Sequence, residues 1–219
     1  MSATRMNIAV RRATPVDARR LLPVLVHAYL SGPVADWLIP NITERRVVYY
    51  RYFRLMLTHG LRYGRVDTTD DLSAVAIWYR RDETPAPVVP TYREQLGQAA
   101  GKYAPKFVLL DTMFEAHHPR VPHDYLAFLA VDPERQGRGV GSALLNRAHA
   151  RLDAEHRAAY LEASNERNRD LYLRLGYRTG APMMLPTAGP PIWRMWRGQR
   201  EGDVGVAFPP ATMPRRRSL

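Results

Sequence analysis

Apolar positions recur along the chain with two periods, and the switches between them mark out the elements. Residues 7–12 (NIAVRR) read as a short strand. Thr14-Pro15-x-Asp17 then supplies an N-cap, a proline for the first turn and an acid beside the helix N-terminus. The predicted helix carries Leu21, Leu25 and Tyr29 on one face, with Pro23 expected to bend it early. The stretch SGPVADWLIPN, residues 31–41, has turn chemistry and leaves Trp37 looking exposed. Thr43 and Glu44 open a second helix expected to run to about His59-Gly60, the glycine serving as its C-terminal cap.

Residues 61–67 and 72–80 form an expected antiparallel pair around Thr68-Thr69-Asp70-Asp71. A Pro-rich break (84–90) leads into one or two helices over 91–118. Residues 124–132, DYLAFLAVD, are apolar almost without alternation, as a strand buried on both faces would be. A Gly-rich turn and a helix over 139–156 follow, with Leu144, Ala148 and Leu152 as its core stripe. A strand at 158–163, a helix at 166–175 closed by Gly176, and strands near 177–185 and 191–197 complete the pattern. This mixed order predicts an α/β (α+β) fold whose sheet is mostly antiparallel. One domain is expected over 1–198, with 85–122 as a helical insert near the cleft, followed by a flexible basic tail at 199–219.

Composition changes the picture in three ways. Apolar residues make up 46 % and charged residues 24 %, which suffices for an ordinary core. The net charge is +11, favouring anionic ligands, but of the 32 basic residues only Lys102 and Lys106 are lysines. Such an arginine skew is a common mark of GC-rich coding, so the charge is weak evidence for nucleic-acid binding. There is no cysteine, which excludes disulfides, zinc–thiolate sites and cysteine nucleophiles. The start, MSATRMNIAV, has no apolar leader and no run approaches a membrane span, so a cytoplasmic protein is expected.

The segment DPERQGRGVGSALL, residues 132–145, lies between the buried strand and the amphipathic helix. Gly137, Gly139 and Gly141 let backbone amides turn toward one point at a helix N-terminus, while Arg135 and Arg138 add cations; this is a pyrophosphate site in outline. A P-loop fails for want of a lysine. A dinucleotide fingerprint fails at Ser142, and the five residues Asp132 to Gln136 hold the first glycine too far from the strand. A serine nucleophile elbow fails because Val140 replaces its first glycine.

The remaining pattern, Gln136-Gly137-Arg138-Gly139-Val140-Gly141, resembles the coenzyme A pyrophosphate loop of the GNAT superfamily of N-acetyltransferases. The run YLEASNERNRDLYLRLGYR, residues 160–178, is similar to the strand, helix and Gly-Tyr ending that complete that family's cofactor site. Within the superfamily, VDPERQGRGVGSALL, LEAS…RN…LY and PPIWRMWR look like puromycin N-acetyltransferase and similar bacterial members, a likeness that does not fix the substrate. The resemblance implies a GNAT-like sheet of about six to seven strands, splayed between the fourth and fifth. Pantetheine would lie in the splay against backbone groups of Leu129 and Val131. The diphosphate would meet residues 136–142, from Gln136 and Arg138 through Val140 to Ser142, and Asn168 would bond the pantetheine arm. Tyr172, four residues on and on the same helix face, would aim its hydroxyl at the cofactor sulfur. The implied reaction is direct transfer in a ternary complex: a neutral amine attacks the thioester of acetyl-CoA, and Tyr172 protonates the departing thiolate as general acid.

Glu162, at a strand end, is the first candidate for the base that takes the amine's proton; Asp124, His123 and Glu115 are alternatives. His117, His118 and His123 lack matched carboxylates, so a solvated helix end is preferred to a metal site, and no metal is expected. Tyr92, Tyr103, Phe107, Met113 and Phe114, with Tyr29 and Trp37, either cover a substrate pocket or form plain core. The expectation is thus acylation of a primary amine on a small molecule, by a monomer or homodimer without nucleic-acid or membrane partners. Acylation of a protein N-terminus or lysine, and a catalytically silent cofactor- or nucleic-acid-binding module, are the alternatives.

Overall fold

The computed structural model describes residues 8–82 and 91–198. The expected tail at 199–219 and the whole Pro-rich break at 84–90 lie outside the described residues. Eight strands form the sheet: β1 (Val10–Arg12), β2 (Arg65–Thr69), β3 (Ala74–Arg81), β4 (His123–Val131), β5 (Ala158–Ala163), β6 (Arg178–Thr179), β7 (Met183–Met184) and β8 (Pro191–Arg197). Their order is β1-β2-β3-β4-β5-β8-β6, with β7 also on β8; every pair is antiparallel except β4 with β5. The strand count exceeds the expected six to seven because β6 and β7 are separate two-residue ladders on β8.

Two strands carry the core on both faces. Along β3, Val75 and Ile77 join one apolar cluster while Ala74, Ala76 and Trp78 join the other, as strand alternation requires. The first cluster packs under α1 (Ala18–Tyr29), α2 (Pro33–Leu38), α3 (Ile42–Tyr63), α4 (Tyr92–Ala100) and α5 (Ala104–His117); the second packs under α6 (Val140–Ala154) and α7 (Glu166–Arg174). On β4 the alternation breaks once. Ile77 faces Phe128 but Trp78 faces Leu126, so Ala127 is an extra residue, a β-bulge. Leu126 and Leu129, three apart, therefore share a face.

β4 pairs with β5 only at His123–Ala158, Asp124–Ala159 and Tyr125–Tyr160. Beyond Tyr125 the two strands part, which is the splay that the family resemblance implied. Helix ends differ from the sequence reading in ways with local causes. α3 runs through Gly60 to Tyr63, capped by Gly64 at one end and by the Asn41 carboxamide, which accepts from the Thr43 and Glu44 amides, at the other. Gly60 is a packing glycine: a Cβ there would sit 2.6 Å from Ile77 Cγ2. Residues 33–38 are a helix rather than an open turn, and Trp37 is half-buried, its indole donating to Pro186 O at 3.1 Å. α1 passes through Pro23 unbroken. Among the described residues no helix is long and apolar enough to cross a membrane.

Candidate active site

The turn after β4 is built by local rules. The Asp132 carboxylate accepts from the Glu134 amide, and the Gln136 side chain donates to Val131 O at 3.1 Å, tying the loop back to its strand. Gly137 and Gly139 adopt φ of +75° and +81°, a left-handed backbone that glycine takes without strain. Space around both is open. Gly139 caps α6, whose first internal bond is Ala143 N to Gly139 O at 2.9 Å. The preceding amides of Val140, Gly141 and Ser142 therefore emerge at the helix N-terminus, where the dipole favours an anion. At Gly141 a Cβ would lie 3.5 Å from Val131 Cγ2, an ordinary contact, so α6 lies close on β4 without needing a glycine there.

A single cavity of about 2100 Å³ runs from this loop, through the splay, to the helices on the other face. Of the sequence-predicted residues, Leu129, Val131, Gln136, Gly137, Gly139, Val140, Gly141, Ser142, Glu162, Asn168 and Tyr172 all line it. Arg138 does not; it is exposed beside the loop. The Asn165 carboxamide caps α7 by accepting from Asn168 N at 2.9 Å, which sets Asn168 and Tyr172 one turn apart on the cavity side. Tyr172 is buried, its ring edge-on to Tyr177 at 5.6 Å. Burial, together with the nearby Tyr29 and Tyr177 hydroxyls, pushes its pKa well above the usual tyrosine value, so it holds its proton at neutral pH.

Glu162 points into the cleft, which alternation along its strand left open. Burial pushes its carboxyl up to about 7. The Tyr125 and Tyr160 hydroxyls and the Arg81 and Arg194 guanidiniums oppose that rise, yet Oε1 is buried with no hydrogen-bond partner. A carboxyl held near neutrality can both take and release a proton.

The alternative bases sit elsewhere. Asp124 is buried between two arginines, its Oδ1 accepting from Arg157 Nε at 2.8 Å and its Oδ2 from Arg151 Nη2 at 3.0 Å, and does not line the cavity. Glu115 is exposed at the rim, 3.6 Å from Arg81 Nη2. His123 is fully buried and is not solvated as expected. Its Nδ1 donates to Val121 O at 2.7 Å, leaving Nε2 to accept from His118 Nε2 at 2.9 Å. Burial lowers the pKa of both imidazoles, to about 3 for His118, because their rings pack against Tyr160. Among the described residues no group of three or more metal-ligating side chains converges.

The far wall is aromatic and comes from distant segments. Tyr92, Phe107 and Phe114 line the cavity; Tyr103 and Met113 pack away from it, and Trp37 belongs to a small cluster with Leu185. The Tyr29 ring meets Phe53 tilted at 5.1 Å and Phe128 edge-on at 5.9 Å. Sequence reasoning missed Asp111, which lines the cavity, accepts from the Tyr92 hydroxyl at 2.8 Å and is raised by burial to about 6. No motif marks it; only the packing of α4 on α5 brings its partner over.

A family model for the acetyltransferase (GNAT) domain matches residues 106–179. Among solved structures, the histone acetyltransferase HPA2 and related acetyltransferase from Corynebacterium glutamicum is 30 % identical, with a TM-score of 0.70 over 91 % of this chain and 100 % of that one. Arylalkylamine N-acetyltransferase 2 from Aedes aegypti (14 % identity, TM-score 0.60, covering 88 % and 99 %) shares the fold. So does the polyamine N-acetyltransferase of Drosophila melanogaster (18 %, 0.55, 87 % and 98 %).

Proposed function

Since the chain belongs to the GNAT family and is an acyltransferase by that membership, we propose that it transfers acetyl from acetyl-CoA to a primary amine of a small molecule. The observation that carries this reading is the continuity of the cleft: one cavity joins the Gly-loop, the parted edges of β4 and β5, Tyr172, Glu162 and an aromatic wall. The loop suits a diphosphate, because left-handed glycines with open space above them leave its amides free to approach. Residues 136–137 and 139–142 would hold the diphosphate, with Arg138 outside the cavity, the β4 edge at Leu129 and Val131 and the Asn168 side chain would hold pantetheine, and the bound thioester supplies the acyl group.

The rest is done by the protein. Glu162, which lines the cavity, takes a proton from the incoming ammonium. The Tyr172 hydroxyl, kept protonated by burial, gives its proton to the sulfur as the C–S bond breaks. Acetyl as the acyl group follows the family.

The depth of the cleft supports a small acceptor over a peptide, although the Corynebacterium relative carries the name of a histone acetyltransferase. Walls from α4 and α5 enclose the aromatic end, and Asp111 adds an acceptor for a polar group there. A thiol-release assay with acetyl-CoA against aminonucleosides, aminoglycosides, polyamines and peptides tests this. Thiol release with a small amine is the expected result; release with peptides alone, or none at all beside calorimetry without coenzyme A binding, overturns it.

A further inference from the structure

The edge of β4 that faces the splay is not bare. The Leu129 amide donates to the Tyr29 hydroxyl at 3.2 Å, and that hydroxyl donates to Leu129 O at 3.3 Å. Leu129 sits opposite Ala76 in the ladder, and in an antiparallel pair a residue whose N–H and C=O bond elsewhere points both away from its partner. These groups therefore aim into the cleft, and Tyr29 meets them there from a helix 100 residues away in the chain.

We propose that Tyr29 is a catalytic residue, its hydroxyl joining the Leu129 amide as the two donors that hold the thioester carbonyl oxygen during acyl transfer. This rests on the acyl-CoA reading above. Four observations lead to it. The hydroxyl and the amide lie close enough together for one oxygen atom to reach both. Both existing contacts are at the long, weak end of the hydrogen-bond range, so exchanging them for a carbonyl costs little. Burial raises the Tyr29 pKa to about 12, which keeps the group a donor. Its ring is clamped by Phe53 and Phe128, which fixes the direction of the hydroxyl.

The roles balance. As the amine nitrogen bonds to the carbonyl carbon, the π pair moves to oxygen, where Leu129 N–H and Tyr29 O–H bear the charge. The pair returns as the C–S bond breaks; Tyr172 supplies the sulfur's proton, Glu162 keeps the first proton of the ammonium, and the nitrogen's second proton passes to water, so that neutral amide and thiol are released. Exchange with solvent then resets both, and Tyr29 never loses its proton.

Tyr29→Phe keeps the ring and removes the donor. Turnover is expected to fall about 100-fold, the usual effect of deleting one such donor. Calorimetric affinities for acetyl-CoA and for coenzyme A should stay within about three-fold, because the donor acts mainly on developing charge. A second measurement needs no variant. In wild-type protein with labelled amides and tyrosines, acetyl-CoA should shift the Leu129 amide and Tyr29 ring resonances well beyond the shift caused by coenzyme A, which has no carbonyl. Turnover of the variant within about two-fold of wild type, or a Tyr29 signal blind to the acyl group, overturns the role of Tyr29 alone. Wild-type protein that binds neither form overturns the acyl-CoA reading beneath it.

Discussion

On one side of the cleft, the stretch from Asp132 to Ser142 offers backbone amides set by two left-handed glycines and a helix start, all within one unbroken segment. On the other side, Glu162, Tyr29, Tyr92 and Asp111 offer side chains from four elements, held by burial and ring packing. The first half depends on conformation and tolerates changes of side chain that leave its φ angles alone. The second depends on the chemistry of single groups and tolerates little. A backbone-built site suits a ligand part common to every turnover, such as a diphosphate; a side-chain-built wall suits the part that differs between acceptors.

Substitutions should therefore act differently in the two halves. Glu162→Gln is expected to have the largest effect, lowering kcat/KM about 1000-fold by removing the base. With its carboxyl raised to about 7, wild-type kcat/KM should climb with pH as Glu162 ionises and level off above that value. The variant's profile should lack that inflection, and an unchanged inflection would assign the base elsewhere. Tyr172→Phe comes next: the ring contact with Tyr177 survives, turnover falls about 100-fold, and calorimetric affinity for coenzyme A stays nearly constant. Equal loss of both would make Tyr172 a packing residue.

Gly139→Ala tests the backbone half. A Cβ there meets nothing within 4 Å, so any effect is conformational. Holding alanine at φ +81° costs about 1–2 kcal/mol, which predicts coenzyme A binding weakened about ten-fold, with kcat hardly changed once the site is saturated. If kcat falls as steeply as affinity, the two halves are not separable in the way described.

The same contrast governs what could be read in advance. The Gly-loop, the Asn168–Tyr172 face and strand β4 were legible because their signals are local: glycine spacing, helical period, an apolar run. The first half of the fold was legible in kind and less so in its boundaries, since Gly60 ends no helix but lets α3 approach Ile77. Trp37 was misjudged because its partner, Pro186, lies 149 residues away. The Tyr29–Leu129 and Tyr92–Asp111 contacts were illegible for another reason, tyrosines at helical spacing being ordinary core residues in most chains. The direction of Glu162 needed the sheet itself.

The smallest effect on turnover, and the sharpest test of the division between chemistry and scaffold, is expected at Asp124. It has the charge of a base and stands two residues from Leu126, yet only 4 % of it is exposed. Arg157, which it holds, also donates to His123 O at 3.0 Å and Asp82 Oδ1 at 2.9 Å, while Arg151 reaches it from α6. Asp124 is thus a clasp over the three residues where β4 and β5 still pair, just before they part. Asp124→Asn leaves two arginines facing a neutral amide in a buried setting and should cost about 3 kcal/mol in urea or thermal unfolding. The protein that remains folded should turn over within about two-fold of wild type, because the clasp touches no reacting atom. A variant of unaltered stability whose turnover has collapsed would transfer the proton chemistry to Asp124, and the parted strands would then need another explanation for what holds them together at their closed end.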